Sequence, residues 1–383
     1  MNFQQRIATF TEAMDGAADI AFFPISADLQ YLTGIPRDIP NYGAVLHPGG
    51  WLEGAWIRPG YNAVLTLTRM SAEFGNLAGS QNVDVRVLGE HDNPSELVRG
   101  LLDEFNLPEN PRVAIGDHAG GETIVGIQKL LPDATFSSGT ALLNPQRAVK
   151  GADEIEAMRK AGEVTEAAFA AVLPQLKIGM TELDIIAEVD SQLKKHGALG
   201  PSFTTSLYNS GPNHPLMFGQ RLETWPRVLT APVSVLFDFG AAMPDGFCYD
   251  FGRTVSFGEP DDEQQRVYDL VMASQRAGIA ALKAGEVTCA DVDADARAVI
   301  EEGGYGAEFR HRLGHGIGMD VHEAPFLTKT DHTPVAEGMM FTIEPSITQM
   351  ETFSARVEDV VVARPGGGEA LTTGYQELIV VEA

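Results

Sequence analysis

Residues 238–254 read DFGAAMPDGFCYDFGRT, with the triplet Asp-Phe-Gly at Asp238 and again at Asp250. Each triplet sits in an apolar, strand-like run, VSVLFDFG (233–240) and FCYDFGRTVSF (247–257), and MPDG between them has the composition of a hairpin turn. With the turn centred on Pro244, positions that sum to 488 face each other, which sets Asp238 opposite Asp250. Opposed side chains have Cβ atoms about 4.5–5.5 Å apart. Two carboxylates so close among apolar neighbours repel, and one must take up a proton unless a cation lies between them. A pair of metal ions about 3.5–4 Å apart answers that need. From the hairpin alone a second arrangement stays open, with one aspartate facing outward and the other capping a turn.

The next unusual stretch is FRHRLGHGIGMDVHEAPF (309–326), which holds His311, His315 and His322, three of the nine histidines of the chain. Glycines at 314, 316 and 318 argue against a helix and predict an exposed-backbone loop that brings imidazoles to a metal or a substrate. Two further strand-like runs follow, GMMFTIEPSI (338–347) and SARVEDVVVA (354–363), with Glu344 and Glu358 among apolar neighbours. A glutamate between Ile343 and Pro345 needs a buried cationic partner. Asp238, Asp250, His315, Glu344 and Glu358 together make an oxygen-rich donor set with one imidazole, suited to Mn, Co, Fe or Zn in a hydrolytic site rather than to a thiolate zinc. A kinase reading of Asp-Phe-Gly fails for lack of the glycine-rich loop, strand lysine and His-Arg-Asp loop that it requires.

The remainder of the chain is consistent with a cytoplasmic enzyme. Its 383 residues predict two or three domains, and 44% hydrophobic residues suffice for a sizeable core. No apolar run is long enough for a membrane span, and the first residues lack the order of a secretory signal. Two cysteines, Cys248 and Cys289, exclude a disulfide framework. A net charge of −26 without a Lys/Arg cluster argues against a nucleic-acid partner. Helix signals near 3–15 and 94–105, with strand signals near 19–24, 62–67 and 113–117, predict a small α/β domain. A change to a long amphipathic helix carrying Ile155, Met158, Ala161 and Val164 sets the boundary near 147–151. Segments 176–197 and 282–304 echo each other, each with Leu-Lys-x-Gly, a threonine, acidic residues and a terminal glycine, which suggests two similar α/β halves.

At this point the sequence resembles the pita-bread metallopeptidases, the group of aminopeptidase P, prolidase, methionine aminopeptidase and the metal-free creatinase. The likeness runs through YLTG (31–34), QRAVKGADEIEAMRKA (146–161), SGPN (210–213), DFG at 238, DxxRT (250–254), GHGIG at 314, HEAP at 322, FTIEP at 341 and RVED at 356, in the family's order. It implies an α/β (α+β) fold: a creatinase-like N-terminal α/β domain over 1–147 and a pita-bread catalytic domain over 148–383 with pseudo-twofold α/β halves. It also implies two divalent ions, manganese first among the candidates. Asp238 would bind one, Asp250 and Glu358 would bridge both, and His315 and Glu344 would bind the other. A hydroxide between the metals would attack the scissile carbonyl, with Glu344 handling its proton, His322 stabilising the tetrahedral intermediate, and His311 and Arg356 shaping the substrate pocket. The substrate implied is a small peptide cut before proline, as in a dipeptidase or aminopeptidase P, and the assembly a homodimer.

Three departures bear on specificity. Phe218 stands where the family has a substrate-contacting histidine, with His214 four residues earlier as a candidate replacement; Gly252 stands where threonine is usual; and the 243–246 turn carries an extra residue. Phe218 keeps open an amidase or amidinohydrolase acting on a small non-peptide C–N bond. A non-catalytic binding protein of the same fold is the alternative of another class.

Overall fold

Two threonines start equivalent helices in the two echoing segments. Thr181 and Thr288 are N-caps whose hydroxyls accept the backbone N–H of Asp184 and Asp291, while those aspartates accept the threonine N–H in return. Each capping box satisfies donors that a helix start leaves without partners. The helices they open, Glu182–Lys195 and Cys289–Glu302, follow longer ones at Ala152–Val172 and Asp262–Ala281. The echo in the sequence is thus a repeated helix pair, and each pair is associated with its own sheet.

The computed structural model of the protein describes residues 2–37, 48–77, 80 and 82–382. Contacts divide the chain into two units, Met1–Arg147 and Ala148–Ala383. In the second unit a four-stranded sheet runs in the order Ile379–Val381, Phe251–Phe257, Val233–Phe239, Ser206–Ser210. A five-stranded sheet runs Glu323–Leu327, Gly314–Gly316, Met340–Ile343, Asp359–Val362, Glu369–Ala370.

Helix Ala152–Val172 buries Ile155, Met158, Ala161 and Val164 at helical spacing, and below them Phe169. The Phe169 ring lies 5.4, 6.0 and 5.5 Å from those of Phe237, Phe239 and Phe251, so it fixes one face of the strand pair. Each such fully buried aromatic contributes roughly 1.5–3 kcal/mol. Strand alternation then turns Ser234, Leu236 and Asp238 to the other face. In the second half Val267, Val271 and Met272 of helix Asp262–Ala281 share one core with Phe341, Ile343 and Val361, which holds the strand leading into Glu344.

The first unit is a six-stranded mixed sheet, Asp84–Leu88, Val64–Thr68, Gly54–Ile57, Ile20–Pro24, Arg112–Ile115, Thr135–Ser138 in spatial order. Phe22 and Trp56, ring centroids 4.6 Å apart, are central in its core. Residues 31–33 of the YLTG motif close helix Ala27–Thr33, and Gly34 caps it at φ +76°, a left-handed value that suits glycine. The sequence pattern located three of the six strands; Gly54–Ile57, Asp84–Leu88 and Thr135–Ser138 were outside it.

Candidate metal centre

The hairpin register differs from the one that a turn centred on Pro244 requires. Asp238 pairs with Gly252 and Phe239 with Phe251. The cause is the turn. Met243 N–H donates to Phe247 O at 2.8 Å and Tyr249 N–H to Ala241 O at 2.9 Å, so three residues, Pro244, Asp245 and Gly246, make the loop. Gly246 takes φ +93°, the left-handed position of a three-residue hairpin. The centre therefore moves to Asp245, and Asp250 becomes a diagonal neighbour of Asp238 across the ladder instead of its opposite.

The diagonal makes room for a third carboxylate. A Cβ built on Gly252 would lie 2.9 Å from Glu358 Cβ and 3.1 Å from its Oε2. Gly252 and Glu358 also exchange backbone hydrogen bonds, at 3.2 and 3.0 Å. Glycine at 252 is thus a matter of close approach: its missing side chain is the space that Glu358 fills.

The glycines of 314–318 act in the same way, which corrects the expectation of an exposed loop. Gly314–Gly316 is a short buried strand, and a Cβ on Gly314 would lie 1.9 Å from Thr342 O. His315 N–H donates to Thr342 Oγ1 at 3.1 Å, and Nδ1 is 3.0 Å from Gly316 O. With Nδ1–H donating to that carbonyl, Nε2 keeps its lone pair and faces Asp250 Oδ2 at 3.6 Å and Glu344 Oε1 at 3.5 Å. Burial acts to lower the His315 pKa, but the neighbouring Asp250 and Glu344 carboxylates outweigh it and raise it.

Asp250, His315 and Glu358 each offer one ligand atom within 4.8 Å of the others, all buried. Asp250 Oδ1 and both carboxylate oxygens of Glu358 are buried without a hydrogen-bond partner. Burial, then the charges of Asp250 and Glu344, push the Glu358 pKa well up. Burial likewise raises Asp238 to about 6 against the pull of Arg356. Native proteins rarely leave buried carboxylate oxygens bare, so this donor set fits a cation. Arg356 donates Nη1 to Asp238 Oδ2 at 2.6 Å and Nη2 to Glu344 Oε2, linking a strand of the four-stranded sheet to the residue that follows Met340–Ile343 of the five-stranded one. Burial opposes ionisation of Glu344, yet Arg356 and His315 hold its pKa below the ordinary value.

His322 lies beside His315, ring centroids 4.2 Å apart, and burial followed by the charges of His315 and Arg312 lowers its pKa. His311 lines the same cavity, but Nε2 is 2.6 Å from Ser346 Oγ and Nδ1 2.7 Å from Arg312 O, so both ring nitrogens are engaged. Burial and Arg356 bring His311 down to about 4, which keeps it neutral. His214 is not in this cavity: its Nε2 is 2.9 Å from Thr230 Oγ1 and accepts the Thr230 N–H at 3.1 Å. Phe218 is 54% exposed and lines a neighbouring cavity, its ring 6.1 Å from that of Tyr208.

The cavity measures about 440 Å³ and also takes in Phe203, Thr204, Ser206, Tyr208, Arg221 and Arg312, none of which the sequence singled out. A signal existed for two of them. Arg312 lies between His311 and His315, and Tyr208 lies two residues before Ser210 of SGPN.

Two sheets that each pair with a helical hairpin, and five metal-type donors facing one cavity, define a pita-bread hydrolase. The family model for metallopeptidase family M24 matches residues 156–365, and the chain belongs to that family. It is 35% identical over 268 residues to the Xaa-Pro dipeptidase of Lactobacillus delbrueckii subsp. lactis, covering 68% of this chain and 71% of that one. The crystal structure of a dipeptidase from Pyrococcus horikoshii OT3 superposes with a TM-score of 0.87 at 27% identity, over 98% of this chain and 100% of the other. A recombinant prolidase from Thermococcus sibiricus gives 0.87 at 26% identity over 100% of both. The protein is therefore a metallopeptidase, of a family that binds divalent metals. No helix among the described residues is long and apolar enough to cross a membrane.

Proposed function

We propose that the chain hydrolyses the peptide bond before proline in small peptides, using two divalent ions held by Asp238, Asp250, His315, Glu344 and Glu358. The observation that supports this most is the pair of bare, buried Glu358 oxygens beside Asp250 Oδ1 and His315 Nε2. When bound, such ions supply a hydroxide nucleophile at neutral pH and polarise the carbonyl under attack.

The residues divide the remaining work. Arg356 holds one oxygen of Asp238 and one of Glu344, while the other Glu344 oxygen accepts from Thr342 Oγ1 at 3.4 Å and lies 3.5 Å from His315 Nε2. Glu344, kept ionised against burial by Arg356, takes the proton of the attacking water. Neutral His322 donates an N–H to the substrate carbonyl oxygen as negative charge develops there. His311, with both nitrogens engaged, shapes the wall and fixes the Arg312 backbone. Phe218 puts an aromatic group where the resemblance expects a proton-carrying side chain, so Glu344 and His322 carry the proton transfers alone.

The oxygen-rich donors favour manganese, with cobalt, zinc and iron as competitors. A homodimer in the cytoplasm accompanies the reading on the strength of the family resemblance and the cysteine content. The test is chelation. EDTA should abolish hydrolysis of Xaa-Pro dipeptides and manganese or cobalt should restore it, and Glu344→Gln should lower turnover by roughly 10²–10⁴-fold with the fold intact. Activity that survives exhaustive chelation overturns the metal mechanism; turnover of a non-peptide amide in place of Xaa-Pro peptides overturns the substrate.

A further inference from the structure

Lys150 and Glu323 form an ion pair inside the second unit, Nζ to Oε2 at 3.1 Å, with side chains 2% and 6% exposed. Neither side chain lines the cavity that holds the metal-type donors, yet each is tied to a residue that takes part in the proposed reaction. Glu323 follows His322 in the chain. Lys150 N–H donates to Gly338 O at 3.0 Å and Val149 bridges Met339, so the lysine backbone is fixed on the segment that runs into strand Met340–Ile343 and Glu344. A Cβ on Gly338 would lie 2.9 Å from Lys150 O, a measure of how closely the two segments approach.

His322 depends on its backbone for its place. His311 is held through both ring nitrogens, and His315 through Nδ1 on Gly316 O. The His322 ring lies against that of His315, and neither of its nitrogens has a hydrogen bond among the described residues. What sets it is the turn 317–322, between Gly316 and its ladder partner Glu323. That turn is built round the Glu323 carboxylate. Oε1 accepts the Asp320 N–H at 3.1 Å, and Gly318 N–H donates to Asp320 O at 3.0 Å. A Cβ on Gly318 would lie 2.8 and 3.0 Å from the two carboxylate oxygens, so the backbone there wraps directly over the charge.

A buried Lys–Glu pair is a poor choice for stability alone. Removing both charges from water costs about as much as their attraction returns, and well-packed apolar residues of similar volume do as well or better. The pair adds direction instead. Glu323 Oε2 is fixed by a cation whose own backbone is fixed on the strand that ends at Glu344, whereas an apolar pair would fill the same space without setting the turn.

We infer that Lys150 and Glu323 are positioning residues: they tie the turn that carries His322 to the strand that leads to Glu344, so that the proton acceptor and the N–H donor to the carbonyl oxygen keep one spacing. This rests on the roles given to His322 and Glu344 above, and it extends the working site to the residues that open the second unit.

The experiment is a double-mutant cycle on the manganese-loaded protein with one Xaa-Pro dipeptide, in which Glu323→Gln and His322→Ala are made singly and together. Glu323→Gln should lower kcat by roughly 10- to 100-fold with KM and metal content unchanged, the scale of a displacement of about 1 Å near the reacting atoms. In the His322→Ala background the same change should cost less than about threefold, because the group it positions is gone. Lys150→Met/Glu323→Met separates position from stability: it should melt at or above the wild-type temperature, bind manganese fully and still show the lowered kcat. In its metal-free form, amide exchange should be faster over 317–322 and unchanged over Met340–Ile343. Equal losses from Glu323→Gln with and without His322 overturn the inference and mark a structural role, as does a wild-type kcat in Lys150→Met/Glu323→Met. Both results leave the Xaa-Pro reading standing. Undiminished turnover in His322→Ala removes that histidine from the mechanism and the inference with it, and a wild type that does not cleave the dipeptide overturns the peptidase reading before any variant is compared.

Discussion

Glu358 and Asp359 are consecutive residues, each 1% exposed, and the protein surrounds them in opposite ways. Asp359 Oδ1 accepts from Arg253 Nη2 at 2.8 Å and from Thr372 Oγ1, and its Oδ2 accepts from Gln275 Nε2 at 2.8 Å. Glu358 has no hydrogen-bond partner at either oxygen. Strand alternation turns the two side chains to opposite sides, one into the core of the unit and one into the catalytic cavity. The contrast teaches where this fold completes a buried charge itself and where it leaves completion to a ligand. It also separates two uses of arginine: Arg253 is an internal counter-ion, 1% exposed, whereas Arg312 lines the cavity with no ion pair among the described residues.

Replacing the bare carboxylate should have the largest effect on function. Glu358→Gln should lower turnover by at least about 10²-fold, since metal ions contribute several kcal/mol of transition-state charge stabilisation. The metal-free protein should keep its fold or melt at a higher temperature, because the repulsion with Asp250 and Glu344 is relieved. Metal analysis and thermal melts with and without manganese measure both. Full metal content with normal turnover would break the comparison from one side; collapse of the metal-free fold would break it from the other.

The satisfied carboxylate should behave in reverse. Asp359→Ala strands the Arg253 guanidinium, which is 1% exposed, and such a loss costs about 3–5 kcal/mol. Denaturant unfolding of the metal-free protein reads it directly. A cost under about 1 kcal/mol would mean that the carbonyl oxygens of Gly374 and Glu358, which Arg253 also reaches, suffice without the carboxylate.

The two aspartates and the later glutamates were legible because an acid within an apolar run is conspicuous whatever its exact pairing. Their pairing was not legible. The register depends on whether the turn has two or three residues, and that rests on Gly246 at φ +93°, a backbone value that MPDG permits without requiring. Gly314 was misread for a related reason: it serves close packing against Thr342, and a sequence does not distinguish that use from an exposed loop. The two echoing helices were readable because Thr181 with Asp184 and Thr288 with Asp291 put their caps at fixed local spacing.

A third kind of carboxylate, partnered but wet, should give the smallest effect. Asp19 in the first unit accepts Arg112 Nε and its backbone N–H on Oδ2 at 3.1 and 2.8 Å, and Nη2 on Oδ1 at 2.9 Å, with the two side chains 21% and 43% exposed. The Arg112 hydrogen bond, with a smaller opposing push from burial, holds the Asp19 pKa below its ordinary 3.8. The folded state therefore binds this proton less readily than the unfolded one. The pair's contribution is present above the unfolded-state pKa and is lost as pH falls through the lower, folded-state value. Asp19→Asn should accordingly reduce stability slightly at pH 7, less so in high salt, and less at pH 2 than at pH 7. Denaturant midpoints at the two pH values test this. A loss at pH 7 as large as that of Asp359→Ala would show that hydrogen-bond count, and not burial, sets what a carboxylate contributes here, and the distinction drawn from Glu358 and Asp359 would have to be rebuilt on that ground.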